Sequence, residues 1–157
     1  MATATRIAVL CLGFAVSSQI TAGEAEDSVV VYRSPYDFET TRDNVADAIL
    51  AQGLIISETL HIGDMLNRTG AVLGITQQIY VAAESLTFCS ATVTHSMLAS
   101  DPHNIVNCPF SIAVYVLTGE PSEVYLAFQR PDFVGDASDA NRAAFELMDA
   151  IVQEAIL

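Results

Sequence analysis

FSIAVYVLTGEPSEVYLAFQ, residues 110–129, is the stretch that decides the fold. Two runs rich in β-branched and aromatic residues flank TGEPS, where glycine and proline mark a turn. The pattern predicts an antiparallel hairpin with Phe110, Ile112, Val114 and Val116 on one face, because side chains of a strand alternate with a period of two.

Downstream of the hairpin, residues 139–156 form the clearest helix, with Ser138 as its cap and Ala144, Leu147, Met148, Ile151 and Ala155 as the apolar stripe. Upstream, SVVVYRS (28–34) reads as a first strand stopped by Pro35. FETTRDNVADAILAQG then predicts a helix: Asp37 caps it, Phe38, Val45, Ala46 and Ile49 share a face, and Gly53 takes the left-handed position that ends it. LIISETLHI (54–62) is a second strand, after which Asp64 is expected to cap a helix through MLNRTGAVLG with Met65, Leu66, Thr69 and Leu73 on its buried side. QIYVAAESLTFC (78–89) is a third strand, followed by a short helix from about Thr92 to Ser100 that Asp101 and Pro102 end.

Early alternation closed by a hairpin and a helix predicts an α+β two-layer sandwich, with helices packed on one face of a mixed or antiparallel sheet. Val, Ile and Tyr occur on both faces of several strands. The face away from the helices therefore needs cover, and a homodimer is expected to supply it.

The first residues have the organisation of a secretory signal: Arg6, then an apolar run from Ile7 to Val16, then the small residues Thr21, Ala22, Gly23 and Ala25. A leader over 1–22, cleaved after Ala22 or Ala25, followed by one domain over 26–157, is the expected organisation. The apolar run ends by Ile20, short of the ~20 residues of a bilayer-spanning helix, so no stable membrane anchor is expected. Cleavage leaves about 135 residues, enough for one hydrophobic core.

The chain carries six Lys and Arg against nineteen Asp and Glu, a formal net charge of −13, and loss of Arg6 lowers this by one to −14. Such a surface repels phosphate backbones and anionic lipids, which argues against a nucleic-acid partner and for a cationic one or a salty habitat. Excess acid also simply keeps an exported domain soluble.

The order SPYDFETTRDNVADAILAQG, HIGDMLNRTGAVLG, CPFSIAVY and EVYLAFQRP resembles the domain of unknown function 302 family over nearly the whole mature chain. The resemblance implies a two-layer α/β fold, often dimeric, without an agreed activity. It places Phe88 and Cys89 at the turn after the middle strand, and Cys108 and Pro109 where the hairpin opens. Cysteines at both places, with a His-rich linker between, depart from the family's common form.

That linker, FCSATVTHSMLASDPHNIVNCPF (88–110), gathers Cys89, His95, Met97, His103 and Cys108. Cys11 falls in the leader, so Cys89 and Cys108 are an even pair in a chain bound for an oxidising compartment. A disulfide between them would stabilise the fold by ~3 kcal/mol. A parallel return strand would hold the two apart by a helix of ~13 Å, beyond the ~7 Å a disulfide tolerates, whereas antiparallel strands or an irregular linker would bring them together.

Thiolate, imidazole and thioether are also the ligands that copper, zinc and haem iron prefer, which makes these five residues metal or haem candidates. Their spacing reproduces no C-x-x-C pair, H-E-x-x-H helix or C-x-x-C-H attachment. On a helix His95 and Met97 point about 200° apart, and Met97 has the position of a core filler. A third alternative is a thiol enzyme with Cys89 activated at a helix N-terminus near His95. His61 stands alone beside a strand end. Glu84, Asp64 and Asp101 have local roles as solvated face, cap or turn. Asn67-Arg68-Thr69 matches a glycosylation sequon, and no G-x-S-x-G elbow, phosphate loop or dinucleotide fingerprint is present.

The sequence thus points to a periplasmic or otherwise exported, dimeric domain acting as a non-catalytic binding or redox-accessory module through the segment from Cys89 to Cys108. Copper, zinc or haem are the candidate cofactors, and a cationic or redox protein the candidate partner. A periplasmic thiol/disulfide oxidoreductase and a purely structural, disulfide-stabilised domain are the alternatives.

Overall fold

The computed structural model describes residues 28–157. The expected leader, its cleavage site and Cys11 lie outside the described residues. Five strands and four helices alternate: β1 (Val29–Ser34), α1 (Phe38–Ala51), β2 (Ile56–Leu60), α2 (Ile62–Leu73), β3 (Tyr80–Phe88), α3 (Ala91–Ser100), β4 (Phe110–Leu117), β5 (Val124–Gln129) and α4 (Ser138–Ile156), with a 3-10 turn at Pro102–Asn107. The strands form one sheet in the order β1-β5-β4-β3-β2, and every pair is antiparallel. The molecule is an α+β sandwich, and of the mixed and antiparallel alternatives the sheet is the antiparallel one.

Phe110, Ile112, Val114 and Val116 of β4 are buried in one core with Leu126 and Phe128 of β5 and Leu86 and Phe88 of β3. The helical layer closes over them with Val45 and Ile49 of α1, Val93 and Met97 of α3, and Ala144, Met148 and Ile151 of α4. Each large side chain taken fully out of water there contributes about 1.5–3 kcal/mol, so this contact between layers is the main source of the fold's stability. α1 crosses the sheet from one edge strand to the other. Its start is fixed by the Asp37 carboxylate, which accepts from Thr40 N at 2.9 Å and holds the Asp37 pKa below the usual carboxylate range. Gly53 has φ +73° just past its end, as expected.

Three expectations are corrected. α2 begins at Ile62 with His61 at the cap position, so Asp64 sits in the first turn rather than capping it. α4 begins at Ser138 itself, and Ala137 occupies the cap position without a side-chain bond. Most consequentially, the side of α2 expected to be buried is not: Met65, Leu66 and Leu73 are exposed, and Gly63 is the helix's one buried residue. α2 lies along the margin of β3 beyond the point where β2 stops pairing, and it contributes nothing to the core cluster.

The face of the sheet away from α1, α3 and α4 carries a row of tyrosines. Tyr80 meets Tyr115 edge-on at 5.7 Å, Tyr115 stacks on Tyr125 at 5.4 Å, and the Arg33 guanidinium lies 5.6 Å from the Tyr125 ring centre. Tyr125 donates to the Glu120 carboxylate, which raises its pKa, and burial raises that of Tyr115. Val29 and Val31 stand half exposed on the same face.

Candidate functional site

The antiparallel pairing of β3 with β4 settles the geometry of the soft-ligand segment. Phe88 pairs directly with Phe110, so the last residue of β3 and the first of β4 lie at the same end of the sheet. Cys89 follows that pair and Cys108 precedes it, with α3 and the 3-10 turn looping out between them. The two form a disulfide with Cα atoms 6.2 Å apart, within the ~7 Å such a bond tolerates. The parallel return that would have kept them apart does not occur. Cys89 is exposed and Cys108 half-buried, with Thr94 Oγ1 3.8 Å from the Cys108 sulfur.

Ser90 caps α3 by accepting from Val93 N, so Cys89 stands immediately before the helix N-terminus. Asn104 secures the other end. It donates to Met97 O at 2.9 Å and Val134 O at 3.0 Å, and accepts from Val134 N at 2.9 Å, which ties the 3-10 turn both to α3 and to the loop before α4. Asn104 is fully buried, and these bonds replace the water it gave up.

The five metal or haem candidates do not converge. The thiols of Cys89 and Cys108 are joined to each other, Met97 is 0% exposed within the core, and His95 and His103 occupy exposed positions on α3 and the 3-10 turn. A thioether sealed in apolar packing cannot reach an ion that surface imidazoles hold, and a disulfide sulfur is not a thiolate ligand. Among the described residues, no group of three or more His, Cys, Asp or Glu side chains comes together as a metal site. Copper, zinc or haem therefore finds no assembled ligand set in this segment.

A different cluster was not legible from the sequence. Glu84 points from β3 into the helical side of the sheet, opposite Val114, with its side chain 13% exposed. Its Oε1 lies 3.1 Å from His61 Nδ1 and its Oε2 3.8 Å from Arg42 Nη1, while Oε2 has no hydrogen-bond partner among the described residues. Arg42 is held in turn by Asp43, whose hydrogen bond raises the guanidinium pKa. One carboxylate thus joins α1, the start of α2 and β3. His61 and Glu84 are 23 residues apart. Only the turn-back of the chain through α2 brings them together, which is why no local spacing announces the pair.

Beside this cluster, α2 and residues 75–80 enclose a cleft of about 490 Å³. Leu66, Leu73, Ile75 and Ile79 give it an apolar lining, to which Tyr80 also belongs. Its near wall stands close to the sheet because of Gly63, where a Cβ would lie 2.9 Å from Ala83 N. Ile75 N donates to Gly70 O at 2.9 Å where the chain turns back. The far wall is held by Thr118 of the β4–β5 turn, whose hydroxyl donates to Gln78 O at 2.8 Å and whose N–H donates to Ile79 O at 2.9 Å. Both walls are therefore tied to the sheet.

A family model described as "Domain of unknown function DUF302" matches residues 30–155. Among solved structures, the crystal structure of an uncharacterized conserved protein DUF302 from Bacillus stearothermophilus superposes with a TM-score of 0.66 at 11% sequence identity, covering 81% of this chain and 97% of that one. At that identity the likeness is one of fold. No curated protein matches the chain. Among the described residues, no helix is long and apolar enough to cross a membrane.

Proposed function

This chain belongs to the DUF302 family, whose description assigns no activity, and from that premise we propose that it is an exported, non-catalytic binding module braced by its Cys89–Cys108 disulfide. The observation that carries this reading is a division of labour. Every sulfur of the 88–110 segment is committed to a disulfide or to the core, whereas α2 and the residues after it leave Met65, Leu66, Leu73, Ile75 and Ile79 exposed. Export is supported by the Arg6 and Ile7–Val16 leader pattern and by a disulfide that persists in oxidising compartments. Self-association through the tyrosine-bearing face, where Val29 and Val31 remain half exposed, belongs to the same proposal.

Alkylation and mass measurement of protein taken from its native compartment tests the brace. The expected result is no free thiol at Cys89 or Cys108 and no turnover of an added dithiol. Catalytic oxidation of a dithiol peptide with oxidised glutathione supplied to re-form the disulfide, lost in Cys89→Ser, would overturn it.

One observation favours the oxidoreductase alternative: Cys89 is exposed directly before α3. In that chemistry a substrate thiolate attacks the Cys89 sulfur, the S–S bond breaks, and Cys108 leaves as a thiolate near the Thr94 hydroxyl. A second substrate thiol then displaces Cys89, so the substrate is oxidised to a disulfide as both cysteines are reduced. The turnover assay separates this route from the brace.

A further inference from the structure

We propose that the cleft between α2 and residues 75–80 binds an uncharged small molecule with an aliphatic body and a single hydrogen-bonding end. The proposal rests on the binding-module reading and names the ligand class for it. Four features of the cleft lead there.

The first is size: about 490 Å³ lies within the ~300–1,000 Å³ of small-molecule sites. The second is preorganisation. Gly63 and Gly70 on one side and Thr118 on the other fix both walls before any ligand arrives, so little ordering cost is added on binding.

The third is the lining. Leu73, Ile75 and Ile79 are 69%, 57% and 55% exposed, an arrangement that an aliphatic guest relieves by removing their surface from water. The fourth is charge. In a chain of net charge −13, no acidic or basic residue among the described residues lines the cleft. A charged headgroup inside would lose water without gaining a counter-ion.

Polar capacity is nevertheless present. Asn67, Thr76 and Gln77 line the cleft, and their side chains make no hydrogen bond among the described residues. A hydroxyl or amide on the guest would meet amide and hydroxyl groups with free donors and acceptors.

The test compares three probes of one chain length, decanol, decanoate and decylammonium, each below its micelle concentration, by titration calorimetry on the full mature protein. Decanol is expected to bind at one site at least tenfold more tightly than either ion. Leu66→Asn should weaken decanol binding at least tenfold while leaving the thermal melt in place, since Leu66 contributes nothing to the core. The chain has no tryptophan, so Leu73→Trp places a single reporter at the rim, whose emission should shift to the blue with decanol.

Salt-sensitive binding led by decylammonium would reveal attraction to the acidic surface and overturn the assignment. So would sedimentation showing a dimer that decanol does not perturb and that Leu66→Asn dissociates, because a second copy would then fill the cleft. Neither outcome touches the thiol and turnover assays, which judge the parent reading separately.

Discussion

The molecule contains the same topological unit twice, and the two copies behave differently. β2–α2–β3 and β3–α3–β4 are both helices that loop out between adjacent antiparallel strands. α3 inserts Val93 and Met97 into the core, is secured at its end by Asn104, and has the Cys89–Cys108 disulfide across its base. α2 touches β3 through Gly63 and leaves its large apolar side chains in solvent. Connectivity therefore does not decide whether such a helix is structural. What decides it is whether its apolar stripe faces something in the same chain.

Truncating each helix should expose this difference most strongly. Met97→Ala, which removes a fully buried side chain, should cost about 3 kcal/mol, whereas Leu66→Ala should stay within ~0.5 kcal/mol; urea unfolding of both variants checks the pair. Equal losses would break the comparison. Removing the brace comes next. Cys89→Ser combined with Cys108→Ser opens a loop with a sequence separation of 19 and should cost about 3 kcal/mol. Wild type in reductant should fall to the same midpoint, and a midpoint that reductant does not move would show that the bond is not bearing on stability.

Asn104→Ala leaves the N–H and the carbonyl of Val134 without their partner and removes one of three donors to the Met97 carbonyl, at a cost of about 2 kcal/mol. Hydrogen exchange should then speed up at Val134 and the end of α3 before it changes elsewhere. The smallest effect belongs to pH. Asp37 has a folded pKa below its unfolded value, so its contribution is present above the ordinary carboxylate range and is lost as pH falls through the lowered folded value. Asp37→Ala should therefore destabilise at neutral pH, with the gap to wild type closing in acid. A gap that stays constant across a series of melts at falling pH would refute that sign.

Much of the architecture was legible because its signals are local. Strict alternation placed Phe110, Ile112, Val114 and Val116 on the core face, and Ala144, Met148, Ile151 and Ala155 recur at helical spacing along α4. Cap positions were shifted by three residues at α2 and by one at α4, where Asp64 and Ser138 entered the helix instead of preceding it. α2 is amphipathic, as its pattern states, yet periodicity says only that a face is apolar and not what covers it.

The candidate site was less legible because it depends on pairing. Whether Cys89 meets Cys108 turns on β3 and β4 being antiparallel, which neither strand encodes alone. His61 and Glu84 became partners through the same long-range geometry, and the soft-ligand cluster came apart because Met97 obeyed the core rather than its neighbours in sequence.

The tyrosine row gives the protein an optical signature of its own. With no tryptophan to mask them, Tyr80, Tyr115 and Tyr125 are three chromophores at ring separations of 5.7 and 5.4 Å, close enough for their transitions to couple and for excitation to hop between them. Near-ultraviolet circular dichroism and depolarised emission of the unlabelled chain therefore carry a coupled contribution from this sheet face beside those of Tyr32 and Tyr36, and Tyr115→Phe isolates it before a dye is attached.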